Sequence, residues 1–167
     1  MSDIKFSYVS STDLVVSGLN ALPSSSTHIS GWESDEIDNS SNKYLDYLVS
    51  AKIAVTGASL TAGEIRLSAV AKLDDSTYPG GFDGVQGVET SPLDDENGTN
   101  AGTVFLNVAS TDTTGGQVYY LRPVSVAAGF GGICPEKFVL FITQSTAQNL
   151  SSTGNQVTIK PVYLTVG

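Results

Sequence analysis

Between Tyr44 and Val55 the odd positions Leu45, Tyr47, Val49, Ala51, Ile53 and Val55 are all apolar, and Asp46, Ser50 and Lys52 stand among the even ones. The alternation returns from Glu64 to Leu73, where Ile65, Leu67, Ala69, Ala71 and Leu73 oppose Glu64, Arg66, Ser68 and Lys72. A period of two sends successive side chains to opposite faces of a sheet. Both stretches therefore predict half-buried strands, joined by a turn around Gly57–Gly63. Further strands are expected at Thr103–Ala109, Val118–Arg122, Lys137–Thr143, Gln156–Lys160 and Val162–Val166. Ile4–Val9, Leu14–Val16 and His28–Trp32 are less regular. Pro161 has no N–H for a ladder, which predicts that the last stretch is an edge strand or bends between two sheets.

No window carries a helical stripe with an N-cap and a C-terminal glycine. Eight or more strands with 17 glycines at the turns predict an all-β protein, an antiparallel β-sandwich. A jelly-roll order is expected over an immunoglobulin-like one. The sandwich domain is placed at 12–167, and residues 1–11 are expected to form a short N-terminal arm that pairs with a neighbouring subunit. On that arm Ile4, Phe6 and Tyr8 alternate onto one face and are the expected contact residues. The irregular stretch Asp74–Asn100 holds seven carboxylates, five glycines and two prolines and predicts long surface loops.

Composition narrows the function classes. Charged residues are 15% of the 167-residue chain, so its polar surface comes from Ser, Thr, Asn, Gly and Gln. The net charge is −9, with eight basic residues scattered among 17 acidic ones. Nucleic-acid binding needs clustered Lys and Arg to displace counterions, and none is expected here. The same acidity opposes docking on anionic lipid, no apolar run is long enough to span a membrane, and no membrane partner is expected. The N-terminus lacks the basic start and apolar core of a signal peptide.

Candidate chemistry is sparse. His28 is the sole histidine and no G-x-S-x-G elbow accompanies it, so neither a Ser-His-Asp site nor a three-histidine metal centre is expected. Cys134, the single cysteine, excludes an intrachain disulfide and reads as a small buried hydrophobe. The acidic runs Glu33–Asp38, Asp74-Asp75 and Asp94–Gly98 could offer oxygens to calcium, but Asp94–Gly98 lacks the ligand spacing of an EF-hand, and a solvated acidic loop is expected over a calcium site. Gly129-Phe130-Gly131-Gly132 is followed by Ile133-Cys134-Pro135-Glu136, not by the lysine and helix of a phosphate loop. These glycines fit a structural crossing between strands. No catalytic residue, cofactor or metal is expected.

Several runs carry a family likeness. Asp38-Asn39-Ser40-Ser41-Asn42-Lys43-Tyr44-Leu45-Asp46-Tyr47 resembles the "DNSTNxYxDY" strand start of a group of tailed-phage virion proteins. Ser125–Gly132, with Pro135 and Phe138, is similar to that group's "SVAAxFGGxxPxxW". Leu150–Asn155 resembles its "aLxxxGN", and Lys72–Tyr78 its "S-x-D-G-x-T-Y", so the likeness spans about Asp38–Asn155. The chain departs from the pattern at Phe138, where the group often has Trp, and in the longer acidic stretch Gly80–Asn97.

The resemblance implies a non-enzymatic virion protein, a capsid decoration (cement) protein on the capsid surface. Such proteins typically sit as homotrimers on the major capsid protein shell and clamp adjacent capsomers. The alternative is a tail-associated or receptor-binding module that recognises host surface glycans, exposing Tyr78, Phe82 and Trp32 on loops. A glycoside hydrolase would instead need two carboxylates in a cleft near Trp32.

Overall fold

The computed structural model describes residues 3–57, 59–90, 92 and 102–167. Among these, the strands are β1 (Ile4–Tyr8), β2 (Thr12–Asp13), β3 (Ser30–Glu33), β4 (Ile37–Asp38), β5 (Asp46–Ala54) and β6 (Gly63–Ala71). They continue with β7 (Gly87–Thr90), β8 (Val104–Thr111), β9 (Val118–Ser125), β10 (Lys137–Gln144) and β11 (Gln156–Val166). Two antiparallel sheets pack face to face as a β-sandwich. The first is ordered β1-β11-β5-β9, with β2 also on β11; the second is β7-β3-β10-β6-β8, with β4 also on β10.

The pairings nest. β6 pairs with β8, β5 with β9, β3 with β10 and β1 with β11. The chain therefore folds back on itself around the β6–β8 connection, and its outermost strands pair with each other.

The alternating strands put their apolar positions between the sheets. Tyr47, Val49, Ala51 and Ile53 of β5 pack in one core cluster with Ile65, Leu67 and Ala69 of β6, and Trp32, Phe138, Leu140 and Ile142 join them. β10 reads Phe138-Val139-Leu140-Phe141-Ile142 without a polar break, and it is buried on both faces. Its outward residues Val139 and Phe141 form a second, smaller core with Val70, Tyr78 and Phe82. The segment after β6 thus folds back over the outer surface of the second sheet.

Three local outcomes differ from the sequence expectation. Residues Ile4–Tyr8, expected as a free arm, form β1 and pair with Val162–Val166 of the same chain. β5 pairs along one edge of β11 as far as the Asp46–Val162 partnership, and β1 pairs along its other edge from Val162 to Val166. Pro161 lies inside one continuous interior strand rather than at an edge or a bend. Its carbonyl accepts from Val9 at 3.0 Å while the Val162 carbonyl accepts from Leu45 at 2.8 Å, so the side of Pro161 without an N–H faces the break between β1 and β2. No ladder bond is lost there. Finally, Val126–Gly129 is one helical turn between β9 and β10, too short to leave a periodic signal.

Candidate interaction surface

The side chains of Ile4, Phe6 and Tyr8 project together from one face of β1 and are 70%, 70% and 54% exposed. Their cross-strand partners on β11 are Val166, Leu164 and Val162. Val166 and Leu164 are themselves 74% and 46% exposed, so five large apolar side chains stand in solvent side by side. Lys160 closes one end, its Nζ 5.2 Å from the Tyr8 ring centre. The opposite face of β1 is polar: Lys5 and Ser7 lie there, and Ser7 Oγ is 3.0 Å from Thr165 Oγ1. Among the described residues β1 has no strand on its outer side, so its free backbone groups border the apolar strip. An apolar, unpaired edge is a surface that folded proteins normally cover.

Ile4, Phe6 and Tyr8 were the residues expected from alternation on the arm. Leu164 and Val166 were not singled out, although a signal existed: Val162, Leu164 and Val166 repeat the same period on the other end of the chain. Pairing the two ends was the missing step.

The motif residues build the frame that carries this face. Asn39 donates from Nδ2 to the Tyr44 carbonyl at 2.9 Å and accepts the Tyr44 N–H at 2.8 Å, which closes the turn leading into β5. Asp46 Oδ1 accepts the N–H groups of Tyr47 and Ala127, each at 2.8 Å. Ser125 caps the helical turn by accepting the Ala128 N–H at 2.9 Å. At Gly129 a Cβ would lie 2.7 Å from Val104 Cγ1, so any larger residue would force the Val104 and Leu106 side chains to shift. Gly131 and Gly132 have φ of +75° and +99°, which glycine adopts without strain. Asn155 Oδ1 accepts from Ala54 at 2.9 Å, and its Nδ2 donates to Asn20 Oδ1 and the Ser151 carbonyl at 2.9 and 2.8 Å. The likeness thus falls on turn and crossing residues.

The aromatics expected on exposed loops are placed elsewhere. Trp32 is wholly enclosed in the main core, and Tyr78 and Phe82 are buried against the outer face of the second sheet. Phe82 meets Phe141 edge to face at 5.0 Å. Neither a glycan-stacking loop nor a cleft beside Trp32 is formed by these residues. His28 is buried in a turn, its Nδ1 2.7 Å from Thr143 Oγ1. Burial, with Arg66 adding to it and Glu64 opposing, pushes His28 down to about 4. Burial pushes the half-buried Cys134 thiol up to about 12, helped by Asp46, which keeps it unreactive.

Carboxylates gather on the second sheet. Glu36 takes Lys72 Nζ at 2.7 Å, Lys137 Nζ at 3.5 Å and the Tyr78 hydroxyl at 3.0 Å. Burial alone raises Glu36, but these donors and charges hold it below the ordinary glutamate value. A charged hollow of about 560 Å³ lies nearby, lined by Lys72, Asp74, Asp75, Glu136 and Lys137 among others. Glu33, Asp83 and Glu89 form a separate acidic group. Burial pushes Glu33 up to about 7 against the Gly84 N–H bonded to it, and the Glu89 and Asp83 charges push the same way as burial. The run Asp94–Gly98 lies outside the described residues.

Comparison with known sequences supplies no relative. No protein-family model and no curated protein matches the chain. Among the described residues no helix is long and apolar enough to cross a membrane.

Proposed function

We propose that this chain is a bacteriophage capsid decoration protein, a homotrimer that binds the outside of the major capsid protein shell and clamps adjacent capsomers. The observation that carries this is the exposed strip Ile4, Phe6, Tyr8, Leu164 and Val166 on an unpaired edge. A face of this kind gains by being covered. Clamping works by interface burial: parting two capsomers then requires re-exposing the apolar surface each shares with the clamp. A stable contact needs about 1,200 Å² or more of total buried area, so the strip is the centre of a larger footprint.

The connectivity supports the virion reading as well. With β1, β3, β5, β6, β8, β9, β10 and β11 counted as strands one to eight, the layers are ordered 1-8-3-6 and 2-7-4-5. Wrapping a long antiparallel hairpin into two layers generates this order, which supports reading the sandwich as a jelly roll, an architecture common in capsid domains. The motif residues Asp38–Tyr47 and Ser125–Gly132 supply the family likeness and span the entry into β5 and the exit from β9.

The test is to add purified protein to particles that lack it and to locate it by cryo-electron microscopy. Saturable binding in multiples of three per particle, with raised capsid survival on heating, is expected. Absence of binding to otherwise intact capsids, or density confined to the tail, overturns the proposal.

A further inference from the structure

Glu33, at the end of β3, Asp83, in the loop before β7, and Glu89, within β7, each offer a carboxylate oxygen, and these oxygens lie within 4.8 Å of one another. The register explains the first contact: Glu33 pairs with Gly87 and Gly31 with Glu89, so both glutamates stand on the same outer face of neighbouring strands. The loop brings Asp83 to them, held by the Gly84 N–H donating to Glu33 Oε1 at 2.8 Å and the Glu36 N–H donating to the Gly84 carbonyl at 2.9 Å.

A second observation is independent of the clustering. Glu33 is 0% exposed, and its other oxygen, Oε2, is buried with no hydrogen-bond donor. Buried carboxylate oxygens are almost always satisfied, and one that is not requires an explanation. Among the described residues no lysine or arginine pairs with Glu33, Asp83 or Glu89, although Glu36, three residues after Glu33, takes two lysines. Three carboxylates share one small space with no cation from the protein.

We infer that Glu33, Asp83 and Glu89 form a calcium site. All three ligands are oxygens, which selects a hard cation over zinc or copper. Calcium–oxygen distances of about 2.3–2.6 Å allow ligand oxygens on opposite sides of the ion to stand about 5 Å apart. Magnesium holds its waters strongly and demands near-ideal octahedral geometry, so three carboxylates brought together by two strands and a loop suit it less well. Bound there, calcium would tie the 74–90 segment to β3 and so hold Tyr78 and Phe82 over Val70, Val139 and Phe141. The inference does not depend on the proposed function and would stand in any setting with free calcium.

The experiment is calorimetric titration and thermal unfolding of the full chain, first stripped with EGTA. Calcium at millimolar concentration is expected to bind once per chain and raise the unfolding temperature by several degrees, with magnesium giving a smaller rise. Asp83→Asn and Glu89→Gln are expected to keep the far-ultraviolet dichroism of the native chain and to weaken calcium about tenfold or more, since each removes ligand charge. No heat and no shift in the native chain overturns the inference. So does a calcium shift that survives unchanged in the Asp83→Asn, Glu89→Gln double variant, or an equal response to magnesium.

Discussion

Asp46 accepts the N–H of Ala127 at 2.8 Å across 81 positions of sequence, joining the first residue of β5 to the helical turn that follows β9. The same oxygen takes the Tyr47 N–H. One carboxylate thereby fixes where two neighbouring strands of the first sheet begin and end.

Asp46→Ala leaves both N–H groups without their acceptor. The site is half-buried, so water replaces part of the loss, and a cost of about 1–2 kcal/mol is expected. Urea denaturation should show a lower midpoint at unchanged slope. Asp46→Asn keeps a carbonyl acceptor and should recover about half. Equal stability of all three proteins would show that the bridge contributes nothing.

Phe6→Ser on the exposed face of β1 removes little from the folded monomer, within about 0.5 kcal/mol, because the ring is largely in solvent already. The consequence should appear in association. Sedimentation of the variant is expected to shift toward monomer, and rebinding to particles that lack the protein should weaken at least tenfold. A Phe6→Ser, Leu164→Ser pair that still associates like the native chain would place the interface elsewhere.

Phe82→Ala opens the smaller core. Buried phenylalanines cost about 3–5 kcal/mol on truncation, and a loop that can settle inward brings the expectation to about 3. Because Phe82 holds a surface segment, the loss should be local: hydrogen exchange and protease nicking should rise within residues 74–90 before the strands are affected.

His28 makes stability depend on pH. Its folded value of about 4 lies below the unfolded 6.5, so the unfolded chain binds the extra proton between these values. Stability is full above pH 6.5 and falls toward pH 4, by about 1.4 kcal/mol per unit at the steepest. Glu33, raised from 4.5 to about 7, works the other way: its stability is full below pH 4.5 and is lost as pH rises toward 7. The two slopes oppose each other in calcium-free buffer. Glu33→Gln should therefore uncover the acid-side loss, and adding His28→Asn should flatten it. A flat profile in Glu33→Gln alone would refute the assignment to His28.

Much of the sandwich was legible because its strands alternate. β5 and β6 were visible to within two residues, since Ile53 and Leu67 must face inward while Lys52 and Arg66 face out. β10 was visible for the opposite reason, as an apolar run that only a strand covered on both faces can carry. What covers it was not legible. Tyr78 and Phe82 sit among glycines and carboxylates, and no local pattern tells that their loop turns back onto Phe141. The acidic trio escaped for the same cause: Glu33 and Asp83 are 50 residues apart and meet only through the β3–β7 pairing and that loop. Pro161 points to an edge or a bend in the sequence because nothing local shows that the neighbouring strand is interrupted opposite its missing donor.

The nesting of strand pairs has a consequence for assembly. Closing the inner pairs first shortens the loop that Ile4 must close to reach Val166, so this outermost pair is expected to form late. The apolar strip draws its side chains from both partners of this outermost pair. A chain stalled part-way through folding would present half of the strip at most. Incorporation into a larger particle would then act as its own inspection, admitting finished molecules and passing over the rest.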